Sequence, residues 1–439
     1  MAAGASGAKK SQREPPFSPL QSLYPQFHVQ ENPYPRENMT SKIPNGWHVP
    51  SHKLWLSGKQ HESIQKTIGQ LNRYGVIKPL PLVCQLAYYL FLIHDYQGAA
   101  TVLSNQLNNN PSNLEVLLNL AACYSRMQKY NEAVHYANSA LKLQPSNTLA
   151  LDVLASNHSK LGNFSEAAAA GTRVLMLRDQ QSTPLPKGWS LPQQKPSKYA
   201  KSPAKQDVIA FSLWGKDPRY LRGAIHNTLL ARQYFPEWQL RFYVDEDMPL
   251  EVTTFLTSHN ADIITSSKDS TTRQKLCWRF QVANDPKVGY FLVRDADSIF
   301  SVRERMAVEA WLASDYWFHV MRDWWTHTDL ILAGMWGGVA GVLPPLSNMV
   351  AEYDSGRVET PNIDQWFLRD RVWPYVRISC LVHDRCFRTP GALPMPAPTP
   401  KGNAHIGQDE FAVRRVEQEQ FIKPHLKQHS ALARVLALE

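Results

Sequence analysis

A chain of 439 residues is longer than one small core needs, so two or more domains are expected, and 43% hydrophobic residues with 13 Trp give them apolar interiors to build. The net charge of +9 is not gathered into one block, which leaves nucleotides, phosphosugars and nucleic acid all open as anionic partners. The five cysteines are odd in number and scattered without C-x-x-C spacing, which argues against a disulfide framework or a thiolate zinc site; no apolar run approaches the ~20 residues of a membrane helix, and a soluble protein of the reducing cytoplasm is expected.

Residues 1–50 are rich in Pro, Ser, Asn and charge and read as an extended arm. From Leu80 a repeat begins. Ala87, Ala121 and Ala155 are spaced by 34 residues, as are Ala99, Ala133 and Ala167, and Pro111 and Pro145 close the first two units. Small residues at two fixed positions let antiparallel helices approach closely, and the proline stops the second helix. The pattern resembles the tetratricopeptide repeat, clearest in "NLEVLLNLAACYSRMQKYNEAVHYANSALKLQPSN". Units 80–113, 114–147 and 148–181, with flanking helices around 63–74, predict an all-α solenoid over 51–181. Its face is either a protein-binding surface or a rigid spacer. Residues 182–206 are Pro, Gln and Lys rich and read as a solvated linker.

From Asp207 to the end the pattern alternates. "DVIAFSLWG", "LRFYVDED", "ADIITS" and "GYFLVRDAD" read as strands; "RYLRGAIHNTLLARQYF", "MPLEVTTFLTSH" and "RQKLCWRFQVAND" read as helices. Such alternation predicts an α/β domain with a mainly parallel sheet, whose ligands bind beyond the carboxyl ends of the strands. Asp295 and Asp297 stand at that end of the fourth strand and, two residues apart, can face one side. Asp245 and Asp247 share the spacing, but Asp247, Pro249 and Glu251 look like a helix start, where carboxylates satisfy free N–H groups.

The placed aspartate pair, with "FSLWGKDPRYLRGAIHN", "VMRDWWTHTDLILAGMWGG", "NIDQWFLRDRVWPY" and "CLVHDRCF", resembles the nucleotide-sugar-dependent glycosyltransferases of the GT-A fold, here fused to tetratricopeptide repeats. The resemblance covers roughly residues 207–408. It implies a Rossmann-like catalytic domain in which Asp295 and Asp297 hold Mn²⁺ or Mg²⁺ against the diphosphate of a UDP- or GDP-sugar, with a late histidine as third ligand: His383, preferred, or His405. Hard carboxylate oxygens suit such a cation, which neutralises charge on the departing phosphate. The same resemblance assigns Arg279, Arg294 and Ala296 to the donor, with Phe211, Ser212 and Leu213 at the base, although Phe211 also fits a core position.

On the acceptor side, Trp336, Gly337 and Gly338 offer either an aromatic platform or tight turn packing. By the same resemblance Asp364 is the favoured acceptor-site base or sugar-hydroxyl ligand, and Asp323 with His327 forms a second cluster. The leading expectation is therefore a metal-dependent glycosyltransferase whose repeats recruit a protein acceptor. The alternative is an inactive transferase-like scaffold that binds proteins through its repeats. Nucleic-acid binding rests on the basic pI alone, since no arginine–aromatic stripe or zinc-finger spacing is present.

Overall fold

A computed structural model describes residues 43–195, 205–356, 362–400, 402–408, 410–427 and 429–437. The expected N-terminal arm lies, over residues 1–42, outside the described residues. Eight helices come first: α1 Val49–Leu56, α2 Gln60–Leu71, α3 Leu80–Leu92, α4 Tyr96–Asn109, α5 Leu114–Arg126, α6 Tyr130–Leu143, α7 Thr148–Lys160 and α8 Phe164–Gln180. The pairs α3/α4, α5/α6 and α7/α8 occupy the three repeat units.

The period has a local cause. Asn113 and Asn147, one repeat apart, each accept a hydrogen bond from the N–H three residues on, at 3.0 Å to Val116 and Ala150, and so start α5 and α7. Pro111 and Pro145 precede those caps and end the helix before. The six alanines of the pattern are buried, which is what lets neighbouring helices close on one another. None of the helices among the described residues is long and apolar enough to cross a membrane.

The second region is a mixed α/β sheet. Its elements are β1 Gln206–Leu213, α9 Pro218–Tyr234, β2 Gln239–Asp245, α10 Leu250–Ser258, β3 Asp262–Ser266, α11 Thr272–Cys277, β4 Val288–Arg294, α12 Val302–Leu312, β5 Phe318–Arg322, β6 Met335–Val339, α13 Leu346–Ala351, α14 Ile363–Phe367, α15 Trp373–Val376, β7 Cys380–Asp384, α16 Glu410–Ile422 and α17 Ser430–Val435. The strand order is β3-β2-β1-β4-β6-β5-β7. β1, β2, β3 and β4 run parallel, as expected from the alternation, and β5 and β7 are also parallel to each other. β6 departs from the expectation, lying antiparallel between β4 and β5. The central strands β1 and β4 are covered on both faces, which is why they read as almost unbroken apolar runs.

The two regions pack directly. Arg178 of α8 reaches Asp152 of α7, the Thr328 carbonyl at 2.8 Å and Asp329 at 3.3 Å, while Trp373 donates to Asp179 at 2.6 Å. The expected solvated linker is also packed over its described part. Trp189 donates to the Val342 carbonyl at 3.1 Å, Lys195 to those of Trp311 and Ser314, and Leu185 and Leu191 rest on the large core. Its apolar residues, every few positions among the prolines, explain the difference: a Pro-rich segment needs no ladder partners to lie on a surface.

Candidate functional site

The segment after β4 is held from below by one face of α9. Arg219, Gly223 and Asn227 are four residues apart and share that face. The Asn227 amide nitrogen donates to the carbonyls of Ala296 (3.3 Å) and Ser298 (2.9 Å), and its oxygen accepts from the Phe300 N–H at 3.0 Å. Gly223 permits the approach, because a Cβ there would run into the Ala296 carbonyl and the Asp297 backbone. Gly334, just before β6, is likewise pressed against the Asp295 carboxylate, where a side chain would displace it. The Asp-Ala-Asp turn thus sits in a close-fitting backbone frame.

Each aspartate meets a guanidinium. Arg219 donates to one oxygen of Asp297 through Nε at 2.9 Å and through a second nitrogen. Arg279, buried at the head of a 3-10 turn over Trp278–Asn284, pairs with Asp295, with Asp364 at 3.0 Å, and with the Arg294 carbonyl at 2.9 Å. Its own N–H is taken by Ser212 Oγ at 3.1 Å, which ties the turn to the end of β1. Burial works against the Arg279 charge, but Asp295 and Asp364 outweigh it and raise its pKa. Asp364 goes the other way. Burial, against the pull of Arg279 and with the push of Asp295, lifts its carboxyl to about 6. The neighbouring Tyr220 hydroxyl is pushed up to about 12 by burial and by Asp297.

These groups open on a cleft of about 420 Å³ beyond the carboxyl ends of β1 and β4, lined among others by Ser212, Leu213, Trp214, Lys216, Arg219, Tyr220, Arg279, Asp295, Ala296, Asp297, Asp364, Gln365 and Gly407. Of the residues expected from sequence, Ser212, Leu213, Arg279, Asp295, Ala296, Asp297 and Asp364 meet there. Arg219 and Tyr220, in the first turn of α9, also line the cleft and were not expected from the sequence.

Other expected residues lie elsewhere. Phe211 is core, stacked on Phe242 at 4.8 Å. Arg294 is buried on the opposite side of the strand, paired with Glu304 and donating to the Trp336 carbonyl at 3.1 Å. Trp336, Gly337 and Gly338 do not form a platform. They are the middle of β6, fully buried, with the Trp336 ring edge-on to Phe280 and Phe291. Asp323 is buried beyond β5, where Arg303 (2.9 Å) and Arg385 (3.2 Å) balance it and the Ile406 N–H donates to it at 2.8 Å. Its job is to anchor the 402–408 loop that brings Gly407 to the cleft. His327 supports the same corner, its Nδ1 accepting from the Asp323 N–H at 3.0 Å.

His383 is not brought to the aspartates. It lies on β7, with β6 and β5 between it and β4, bonded to His319 at 2.8 Å, and burial pushes its pKa down to about 4. His405, in the anchored loop, stacks on Trp324 at 4.6 Å. Among the described residues no group of three or more His, Cys, Asp or Glu gathers as a metal site. Asp295 and Asp297 still supply the hard oxygen donors that a Mg²⁺- or Mn²⁺-type ion takes from a protein, since such ions are commonly held by one or two carboxylates plus substrate phosphate. The donor set fits a cation that arrives with a diphosphate.

Residues 114–147 match the family model of the tetratricopeptide repeat. No curated protein matches the chain. Among solved structures it is similar to MamA from Desulfovibrio magneticus RS-1, with 16% identity over 30% of this chain and 74% of that one and a TM-score of 0.28. It is similar also to a mutant of Thermobaculum terrenum O-GlcNAc transferase, with 15% identity over 55% of this chain and 44% of that one and a TM-score of 0.35. A third likeness is to the Yersinia enterocolitica type III secretion translocator chaperone SycD, at 19% identity over 23% of this chain and 70% of that one, TM-score 0.23.

Proposed function

We propose that this chain is a GT-A-like glycosyltransferase that moves a sugar from a nucleoside-diphosphate sugar to an acceptor hydroxyl, with a protein acceptor recruited beside the repeats. The observation that carries the proposal is the cleft itself: two carboxylates, two guanidinia and a third carboxyl of raised pKa converge where an α/β sheet receives its ligand. Arg219 and Arg279 offer positive charge to a diphosphate. Trp214, edge-on to Trp278 at 6.5 Å, offers an aromatic wall for a base. Asp295 and Asp297 would hold a divalent cation, which when bound supplies neutralisation of the charge that grows on the departing phosphate. In the transfer, the acceptor oxygen bonds to the sugar C1, the C1–O bond to the diphosphate breaks, and the acceptor proton passes to Asp364. A carboxyl with a pKa of about 6 is mostly ionised at neutral pH yet more basic than an ordinary carboxylate, which suits it to receive that proton.

Purified protein incubated with UDP- and GDP-sugars and Mn²⁺ is expected to release free nucleotide. Absence of both donor binding and turnover across the panel refutes the proposal. The scaffold alternative draws on one observation, the Arg219 guanidinium already seated on Asp297. It predicts that the panel stays silent while protein partners still bind.

A further inference from the structure

A larger cleft than the one at the aspartates lies between the last repeat helix and the sheet region. Its two lobes, about 890 and 480 Å³, share Phe164, Trp325, Arg385 and Cys386 and so form one groove along α8. One wall is α8, with Phe164 at its start and Met176 and Leu177 about 18 Å further along it. Phe164 is 56% exposed and Met176 40% exposed, unusual for large apolar side chains inside a concave surface. Phe164 stacks on Trp325 at 5.5 Å across the junction, so helix and sheet region build the floor together.

The groove is one-sided in charge. Lys160, Arg173, Arg385 and Arg388 line it, and among the described residues no Asp or Glu does. Arg385 is neutralised from behind by Asp323 at 3.2 Å, but Lys160, Arg173 and Arg388 are exposed and make no ion pair among the described residues. The absence of carboxylates disfavours a neutral sugar, whose hydroxyls need acceptors. The apolar wall disfavours a purely charged polymer. What satisfies both is an extended chain carrying carboxylates and apolar side chains together.

We infer that this groove binds an acidic segment of a partner polypeptide, its carboxylates on Lys160, Arg173 and Arg388 and its apolar side chains against Phe164, Met176 and Trp325. The groove reaches toward the aspartate cleft through one loop: Gly402 and Asn403 line the groove and Gly407 lines the cleft. Binding here needs no donor and does not depend on the transferase proposal.

The test uses the full chain without nucleotide sugar and a fluorescein-labelled decapeptide alternating Glu with Leu, followed by anisotropy at low and at physiological salt. Saturable binding is expected, weakened at least tenfold by the physiological salt and lost with the Gln–Leu counterpart. The triple charge reversal Lys160→Glu, Arg173→Glu, Arg388→Glu is expected to weaken binding at least tenfold, and Phe164→Ala several-fold, with unchanged far-UV circular dichroism because all four side chains are exposed. If the charge reversal leaves affinity unchanged, or the acidic peptide fails to bind while polygalacturonate binds, the inference is overturned. So it is if neither probe binds at low salt. Turnover of nucleotide sugars, measured separately, bears on the other site alone.

Discussion

Replacing Arg279 by Met removes the cation that, among the described residues, balances Asp364 inside the protein. Asp364 is almost fully buried and Asp295 partly exposed, so the cost falls chiefly on Asp364. Breaking a buried pair by deleting one partner costs about 3–5 kcal/mol. The pH dependence gives the sign. In the native protein Asp364 titrates at about 6 against an ordinary 3.8, so its folded form holds the proton more tightly than the unfolded chain does. Its contribution is most favourable below pH ~4 and is lost as pH rises through 6, a swing of about 3 kcal/mol at 1.36 kcal/mol per unit. Without Arg279, the attraction that lowers the Asp364 pKa is gone and the loss extends to higher pH. Urea unfolding at pH 5 and pH 8 is expected to show a larger penalty for Arg279→Met at pH 8, and adding Asp364→Asn is expected to recover part of it. A penalty below about 1 kcal/mol, or one independent of pH, refutes the network as drawn.

Asp297→Asn is expected to weaken Mn²⁺ binding and to lower turnover by roughly a hundredfold, read by metal titration and nucleotide release, because it removes a carboxylate charge from the cleft. His383→Gln is expected to leave Mn²⁺ affinity unchanged. It should also reduce acid sensitivity: with a folded pKa of about 4 against 6.5 unfolded, the stability tied to neutral His383 is present above pH 6.5 and lost as pH falls through 4, a span of about 3 kcal/mol that pH-dependent unfolding measures. Gly223→Ala is expected to cost about 1–3 kcal/mol by forcing the Asp-Ala-Asp turn off α9, and to weaken donor binding measured by calorimetry even though residue 223 does not line the cleft.

The repeats were legible because their signal is periodic: an alanine or proline recurring every 34 residues marks a helix contact or a helix end wherever it falls. The parallel half of the sheet was legible from alternation, and the aspartate pair from its position at a strand end. Asp245 and Asp247 gave a partial lesson. The helix does begin nearby, with Pro249 before Leu250 and Glu251 in its first turn, but Asp247 caps nothing, and Asp245 pairs with Lys275 at 3.3 Å.

Strand β6 was hidden because "GMWGG" has the composition of a turn. Only the crowding of Phe291 and Phe318 around its glycines shows why a central strand would use them. The histidines misled for a related reason. His383 in "LVHD" alternates with apolar residues as a buried strand residue does, and that cue favours packing over ligation. Arg219 could have been found from the i, i+4, i+8 spacing with Gly223 and Asn227, a helix face of one cation, one gap and one amide.

Donor binding measured by calorimetry on the intact chain, with UDP- and GDP-sugars in the presence of Mn²⁺, tests the central claim most directly. The account predicts saturable binding of at least one nucleotide sugar, weakened by Asp297→Asn and by Arg219→Ala, with release of free nucleotide. Full-strength binding that survives both substitutions, or no binding of any donor, contradicts it.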